Sequence, residues 1–236
     1  YIAFAIGPGL APALLAGREF VAELSNKLNK PIIPVNHLFG HLVVNKLAQG
    51  PKRKGKKIRV NNFTEIEFPA IGLIISGGHT ILLTMNSIFE YKKIGETIDD
   101  AIGESLDKAG RALGLEYPGG PKIEKLAKKG RAVFTLPKPM SFQKNFNFSF
   151  SGLKTAFVEL IDEIKGLKKL DEKTRADLAA SFQKAAFDSL LFKTRRATEL
   201  YKPKSLIVGG GVIANQTLKK LITSMFKGLK IYFPEK

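Results

Sequence analysis

Short apolar segments alternate along this chain with stretches of helical periodicity, and that order limits the fold more than any other feature. Tyr1–Ile6 and Pro31–Val35 are predicted strands, with a helix over 10–28 between them. Residues 68–94 predict a meander of three strands that has a glycine pair at its first turn. Helices and two further strands follow. Because alternating strands and helices are typical of α/β layers, we expect an α/β protein.

Composition narrows the class of protein. The 236 residues are 44% hydrophobic, yet no run of about 18 apolar residues, the length that a membrane span needs, occurs. Cysteine is absent, which excludes disulfides and thiolate catalysis and fits the cytoplasm or, alternatively, the mitochondrial matrix. The chain has neither an initiator Met nor a signal peptide, so we expect it to begin in mid-protein.

The formal net charge of +17 favours a polyanionic partner, because neutralised phosphates release counterions. A solvated basic surface is the alternative. The densest cluster of positive charge lies in one short loop, which we expect to be exposed, either as a nucleic-acid contact or as a disordered insert. Its basic residues are Lys52, Arg53, Lys54, Lys56, Lys57 and Arg59.

Two of the three histidines, His37 and His41, stand four positions apart, just after a predicted N-cap at Asn36. On a helix both imidazoles project from one face, where they could hold one divalent metal ion. Two solvated or core histidines are the alternative. A zinc-protease motif needs Glu directly after the first histidine, and Leu38 stands there, which disfavours a metalloprotease.

The turn between the first two strands of the predicted meander is a candidate anion site. It consists of Ile75, Ser76, Gly77, Gly78 and His79. The glycines let backbone amides approach an anion closely, and the serine and histidine add side-chain donors. An ordinary hairpin turn is the alternative.

A second glycine turn, formed by Gly209, Gly210 and Gly211, lies between a predicted strand and a predicted helix. That arrangement offers free amides and a helix N-terminus to a phosphate or a base. Asn215 stands near the helix start, where it either contacts a ligand or caps the helix. Lys154 follows a predicted helix entry and is a further candidate for an anion contact.

The helix that follows the meander has two distinct faces. We predict that it starts at a capping box of Thr97 and Asp100 and stops at Gly114. Its apolar stripe comprises Ile98, Ile102, Leu106, Ala109 and Leu113. The opposite face carries Asp100, Gly103, Asp107 and Gly110. Since a mid-helix glycine costs about 1 kcal/mol relative to Ala, two glycines on one face indicate a close approach by another group. Asp107 could accept hydrogen bonds from a ribose or an amine, or be a solvated acid.

Together these segments resemble the TsaD family of tRNA threonylcarbamoyladenosine synthases, in a bacterial or organellar form. The matching stretches stand in family order and span nearly the whole chain. They are IGPGL (6–10), VNHLFGH (35–41), ISGGHT (75–80), GETIDDAIGESLDKAGRALGLEYPGGP (95–121), FSFSGLKTA (148–156) and GGGVIAN (209–215).

The resemblance implies an actin/hexokinase-like (ASKHA) fold, with two related lobes and a nucleotide cleft between them, incomplete at both termini. Residues 1–66 would be the remainder of the first lobe, which carries the histidine pair. Residues 67–236 would be the second lobe, which carries the substrate loops and inserted helices. The implied activity is an acyl transfer, from threonylcarbamoyl-AMP to the adenosine 3′ of the anticodon in tRNAs that read ANN codons.

The resemblance also implies roles for individual residues. His37 and His41 would bind one metal ion, Fe(II) by expectation and Zn(II) as the alternative. The implied substrate-binding residues are Ile75, Ser76, Gly77, Gly78, His79, Asp107, Gly120, Glu124 and Asn215. Candidate phosphate contacts are Gly209, Gly210, Gly211 and Lys154. The 52–59 loop becomes a candidate tRNA contact. TsaB-like and TsaE-like helper proteins are expected partners, and a membrane is not.

This chain departs from the family pattern at the metal site. The family has Glu between the two histidines, in HxEGH, where Phe39 stands here. A third metal ligand, an Asp, is expected beyond the chain end, and a phosphate-contacting turn before its start, so the chain alone could be inactive. A non-catalytic paralogue that scaffolds the enzyme and an ATP-dependent phosphotransferase on the same fold are the alternatives.

Overall fold

The computed structural model describes residues 1–46, 65–141, 143–167 and 170–234. Its contacts divide the chain into two compact units, one over residues 1–65 and one over 66–234, which are described separately below. The basic cluster at 52–59 lies outside the described residues. No described helix has both the length and the apolar character that crossing a membrane requires.

The first unit is a strand, helix, strand and helix in sequence. Its elements are β1 (Ile2–Gly7), α1 (Ala11–Leu28), β2 (Ile32–Asn36) and α2 (His37–Val43). β1 and β2 pair in parallel, which needs a crossover connection, and α1 supplies it. The predicted N-cap is confirmed, because Asn36 Oδ1 accepts hydrogen bonds from the amides of Leu38 and Phe39. α2 ends at Val43, and a 3₁₀ turn begins at Val44.

The second unit is built on a five-stranded sheet with strand order β5-β4-β3-β6-β7. The strands are β3 (Ala70–Ile75), β4 (Thr80–Met85), β5 (Tyr91–Glu96), β6 (Ser205–Gly209) and β7 (Lys230–Tyr232). The predicted meander is confirmed, because β3, β4 and β5 pair in antiparallel fashion. β6 and β7 run parallel to β3, so the sheet is mixed. Every residue of β3 and β6 is buried, as expected for central strands that are covered on both faces.

Five helices accompany this sheet in the described part of the second unit. They are α3 (Ile102–Ala112), α4 (Gly119–Ala127), α5 (Ser151–Leu167), α6 (Glu172–Tyr201) and α7 (Gln216–Met225). The core contains four fully buried phenylalanines, on α5, α6 and the segment before α5: Phe150, Phe157, Phe182 and Phe187. Aromatic side chains of this size bury about 150–250 Å² each in a typical protein. Burial of these four rings therefore stabilises the packing of α5 and α6 on the core.

The predicted capping box before α3 is wrong. Ala101 is the N-cap, and the hydroxyl of Thr97 donates to the backbone carbonyl of Asp100 instead. The chain cannot become helical at Thr97, because its amide donates to Thr80 and the next amide donates to Phe148. Ile98 therefore lies outside the helix and is 62% exposed, whereas the other four members of the predicted apolar stripe are buried.

The end of α3 and the starts of α4 and α7 each depend on one identifiable residue. Gly114, the predicted stop of α3, adopts φ +70°, a left-handed conformation that glycine reaches without strain. α4 begins at Gly119, where Asp107 of α3 binds its first amides. α7 begins at Gln216 and not at Ala214, since a 3₁₀ turn precedes it and Asn215 is its N-cap.

Candidate functional site

Two glycine turns lie side by side at one edge of the five-stranded sheet. β3 and β6 are adjacent and parallel, with Ile74 paired to Gly209, so both strands end at the same edge. The turn at 75–79 leaves β3 there, and the turn at 209–211 leaves β6. In open α/β sheets the carboxyl edge of the strands is the usual place for a ligand. The structure thus brings the two predicted glycine motifs together.

The turn after β3 has a rigid frame and an open tip. The amide of Ser76 donates to the carbonyl of His79 at 2.8 Å, and the amide of His79 donates to Ser76 Oγ at 3.0 Å. The amides of Gly77 and Gly78 donate to no described residue. Both glycines are exposed, so two amide donors at this edge of the sheet point to solvent or to a ligand.

Backbone from two other elements holds this turn in place. A Cβ on Gly103 of α3 would lie 2.5 Å from the carbonyl oxygen of Ser76. A Cβ on Gly210, which has φ +100°, would overlap the carbonyl oxygen of Ile75. Any side chain at either position would separate the elements. The predicted close approach at the polar face of α3 is therefore confirmed: the turn approaches Gly103, and Gly119 of α4 approaches Gly110.

Asp107 joins the middle of α3 to the start of α4. Its Oδ1 accepts hydrogen bonds from the amides of Gly119 at 2.8 Å and Gly120 at 3.0 Å. The carboxylate thereby binds the positive end of the α4 dipole and satisfies two amides that have no partner within the helix. Oδ2 accepts no hydrogen bond from a described residue, which leaves it available to a ligand.

Glu124 and Asn215 stabilise the start of α7. Glu124 Oε1 accepts from the amides of Gln216 at 3.0 Å and Thr217 at 3.3 Å, and the carboxylate also pairs with Lys128. Asn215 Oδ1 accepts from Leu218, and its side-chain amide donates to Gln183. Both side chains are buried. The capping alternative for Asn215 is confirmed, whereas the contacts of Glu124 with α7 were not predicted. The bonds from Glu124 to α7 and from Asn215 to Gln183 join distant parts of the sequence, and no local signal marks them.

Four glycines around this edge have no structural requirement to be glycine. They are Gly77, Gly78, Gly120 and Gly211. None has a positive φ. A Cβ would meet nothing within 4 Å at three of them, and nothing closer than 3.9 Å at Gly120. Because glycine lowers stability relative to Ala wherever Ala fits, these four positions are candidates for contact with a ligand.

Lys154 forms an ion pair within the protein. Its ammonium lies 3.0 Å from Asp100, whose other carboxylate oxygen binds Lys108 at 2.6 Å. Burial raises the pKa of Asp100, but the hydrogen bonds and positive charges of the two lysines outweigh it and hold that pKa below its ordinary value. Asp100 therefore stays ionised, and Lys154 neutralises an internal charge.

Asp99, which sequence reasoning did not single out, organises the entry to α5. It accepts hydrogen bonds from the hydroxyl of Ser149 at 2.5 Å and from the amides of Phe150 at 2.8 Å and Ser151 at 3.3 Å. The FSFSG stretch thus binds the segment just before α3. The donors and the acceptor are about fifty positions apart, so the local pattern gave no sign of this contact.

The histidine pair in the first unit has the geometry of two ligands to one metal ion. The Nε2 atoms of His37 and His41 are 3.1 Å apart, and the rings meet edge to face. Two metal–nitrogen bonds of about 2.0–2.1 Å that meet at about 90–110° would hold the nitrogens roughly 2.9–3.4 Å apart. Among the described residues, no group of three or more His, Cys, Asp or Glu could hold a metal ion, so a further ligand would have to come from elsewhere.

Comparisons with known proteins agree with this architecture. The family model for tRNA N6-adenosine threonylcarbamoyltransferase, TsaD, matches residues 1–236. The chain is 40% identical over 233 residues to the tRNA N6-adenosine threonylcarbamoyltransferase of Streptococcus gordonii and 39% identical to that of Streptococcus suis. These alignments cover 99% of this chain and 64% of each relative, so the chain spans less than two thirds of the relatives' length.

Solved structures of the same fold are more distant in sequence. HypF from T. kodakarensis has a TM-score of 0.61 at 14% identity, over 98% of this chain and 37% of that one. Full-length HypF in its phosphate- and nucleotide-bound form has a TM-score of 0.58 at 11% identity, over 98% and 42%. At these identities the likeness concerns the fold alone. The predicted α/β, actin/hexokinase-like class is confirmed.

Proposed function

The chain belongs to the tRNA N6-adenosine threonylcarbamoyltransferase family, TsaD, and on that premise we propose that its protein modifies tRNA. The family acts on tRNA. The proposed reaction transfers the threonylcarbamoyl group from threonylcarbamoyl-AMP to N6 of the adenosine 3′ of the anticodon, in tRNAs that read ANN codons. The second unit would bind the adenylate donor at the edge formed by its two glycine turns.

The observation that carries this proposal is the set of four open glycines. They leave a backbone-lined surface beside Asp107 Oδ2 and beside the free amides of Gly77 and Gly78. Such a surface fits a nucleotide, because amides and a helix N-terminus bind phosphate and a carboxylate accepts ribose hydroxyls. Close approach to backbone needs glycine, which explains why residues that the fold does not require are glycines.

The chemistry requires an activated donor, because the lone pair of the adenine amine is delocalised into its ring. N6 attacks the carbamoyl carbon of the mixed anhydride, and the bond from that carbon to the phosphate oxygen breaks. AMP leaves with the bonding electrons, and N6 gives up one proton to water or to the departing phosphate. The amides of Gly77 and Gly78 would stabilise negative charge that develops on oxygen during this step. The turn and Asp107 would also contribute to the rate by holding the donor in the orientation that the attack requires.

We propose that His37 and His41 bind the divalent metal that the family uses. The 3.1 Å separation of their Nε2 atoms fits a shared ion. Fe(II) is the expected metal and Zn(II) the alternative, with an Asp beyond residue 236 as third ligand. When bound, such an ion would polarise a carbonyl or phosphoryl oxygen.

One observation favours a second function, that of a scaffold subunit without catalysis. Phe39 stands between the histidines where the family has Glu, so a carboxylate that could orient a ligand is missing. Transfer of threonylcarbamoyl to unmodified tRNA by the purified full-length protein, with helper proteins of the TsaB and TsaE kind present, separates the two functions. A scaffold would support the transfer only when another TsaD-family subunit is added.

Alanine at the open glycines tests the adenylate site. The replacements Gly120→Ala and Gly211→Ala add one methyl group in free space, so the midpoint of thermal unfolding should not fall. We expect kcat/KM for threonylcarbamoyl transfer to drop at least about tenfold, which corresponds to about 1.4 kcal/mol of lost transition-state stabilisation.

Gly166→Ala is the matched control. Gly166 is an exposed glycine of α5, and an added methyl group there would also meet nothing within 4 Å. This replacement should leave both folding and transfer unchanged. Wild-type kcat/KM in both site variants, together with wild-type affinity for threonylcarbamoyl-AMP, would show that the open glycines do not face the donor.

A further inference from the structure

A groove along α7 carries three lysines and lies outside the site described above. It is lined by Gln216, Lys219, Lys220, Thr223, Ser224 and Lys227, and its volume is about 380 Å³. The opposite side of α7 is fixed to the core by Leu218 and Ile222, both fully buried. The groove is therefore one face of a well-anchored helix.

The positive charge of this groove is not neutralised within the described part of the protein. Residues 200–234 contain six lysines and neither Asp nor Glu. Several lysines elsewhere on the described surface are paired with acids, as at Lys122, Lys138 and Lys184. None of the three groove lysines forms an ion pair with a described residue. The three unpaired ammonium groups therefore favour the binding of an anion from outside the described part of the protein.

The spacing of the lysines suits a repeating anion. From Gln216 to Thr223 the helix rises roughly 10 Å, at about 1.5 Å per residue. Consecutive phosphates of a nucleic-acid strand are separated by more than the axial rise of about 3.4 Å per nucleotide, so a groove of this length can contact two of them. Lys219 is further held by the ring of Phe233, 4.7 Å from its ammonium. That cation–π contact limits the side-chain entropy lost when the lysine binds a phosphate.

Hydrogen bonds connect the helix of this groove to the candidate site. The first lining residue of the groove, Gln216, donates its amide to Glu124, whose helix α4 starts at the amides held by Asp107. The hydroxyls of Thr223 and Ser224 donate to carbonyls of their own helix, so ammonium groups provide the attraction.

We propose that the α7 groove binds the phosphodiester backbone of the tRNA substrate. This inference rests on the proposed function, since the partner is taken to be tRNA. It assigns a contact that is separate from the 52–59 loop. Because ammonium–phosphate contacts do not read bases, the groove would increase affinity for all substrate tRNAs equally and would not select among them.

The test is the salt dependence of tRNA binding. In the full-length protein, the triple replacement Lys219→Gln, Lys220→Gln and Lys227→Gln removes the groove charge. Its dissociation constant for unmodified tRNA is measured by fluorescence anisotropy at several salt concentrations between about 50 and 200 mM. We expect the slope of log affinity against log salt to fall in magnitude by about 2 to 3 and the affinity at low salt to fall roughly tenfold to hundredfold.

A triple variant of equal charge change is the control. Lys92→Gln, Lys165→Gln and Lys173→Gln alter exposed lysines on β5, α5 and α6 that have no ion-pair partner among the described residues. Loss of affinity and slope in the groove variant alone supports the proposal. Equal effects of the two variants would show that only net charge matters and would overturn it.

Further outcomes distinguish this inference from the proposed function. If the wild-type protein binds and modifies tRNA but the groove variant does so with unchanged slope, the inference fails and the function stands. If the wild-type protein binds no tRNA, both fail. If the groove variant binds tRNA normally but loses binding to vesicles that contain anionic phospholipid, the groove contacts a membrane surface and the tRNA assignment is wrong.

Discussion

The buried Lys193 predicts how the free energy of unfolding changes with pH. Its side chain on α6 is 2% exposed, and its ammonium donates to the carbonyls of Gln143 at 2.9 Å and Asn145 at 2.7 Å. Arg196 donates to the same segment. No carboxylate from a described residue pairs with Lys193. Burial, reinforced by the charge of Arg196, lowers the pKa of Lys193 from 10.5 to about 8.

This shift makes stability depend on pH in a defined direction. Between pH 8 and 10.5 the folded protein binds fewer protons at Lys193 than the unfolded chain does, so the free energy of unfolding rises with pH in that window. Below pH 8 both states are protonated and the contribution is constant. The whole shift corresponds to about 3 kcal/mol, of which about 2 kcal/mol should be gained between roughly pH 7 and pH 9.5.

Lys193→Met isolates the effect, because methionine is similar in length and does not titrate. The free energy of unfolding in urea is measured for wild type and variant across this pH range. The variant leaves two carbonyls without the ammonium donor, which lowers its stability at every pH by an amount that does not titrate. The difference between wild type and variant should therefore grow by about 2 kcal/mol from roughly pH 7 to 9.5. A pH-independent difference would refute the reasoning.

Two further predictions concern the site and the metal. Gly103→Ala should lower the midpoint of thermal unfolding by several degrees, because its methyl group would overlap the carbonyl of Ser76 and a ΔΔG of roughly 1–3 kcal/mol follows from overpacking; an unchanged midpoint would show that α3 can move away. His37→Ala, at an exposed position, should abolish metal binding and threonylcarbamoyl transfer while the circular dichroism spectrum stays unchanged; full metal content by elemental analysis would exclude His37 as a ligand.

The strands and turns were predictable because their determinants are local. The apolar run that forms β3 has a glycine pair after it, and no long-range information is needed to place a hairpin there. The cap at Asn36 and the stop at Gly114 are equally local, since each depends on one residue's side chain or backbone freedom. The proximity of the two glycine turns is not local in this sense, because it depends on the pairing of β3 with the distant β6.

The failures involve contacts between distant segments. Thr97 and Asp100 fit the capping-box pattern, but pairing with residues near 148 holds that segment in an extended form. Lys154 follows a helix entry, where an anion would be favourable, and instead neutralises Asp100. The bonds from Glu124 to the start of α7 and from Asn215 to Gln183 also join residues far apart in sequence, whereas the cap that Asn215 provides is local. The 52–59 loop stays a prediction, since it lies outside the described residues.

The turn between β3 and β4 is held between two other segments, and this restricts how much it can rearrange when a ligand binds. Carbonyls of Ile75 and Ser76 touch α3 on one flank and the 209–211 segment on the other at separations that admit no side chain. Fluctuations of this turn must therefore carry both neighbours with them, and its two outward amides keep their direction before any nucleotide arrives. A ligand that binds there would need little reorganisation of the turn. The free energy of its contacts would then increase the affinity or lower the activation free energy of the transfer.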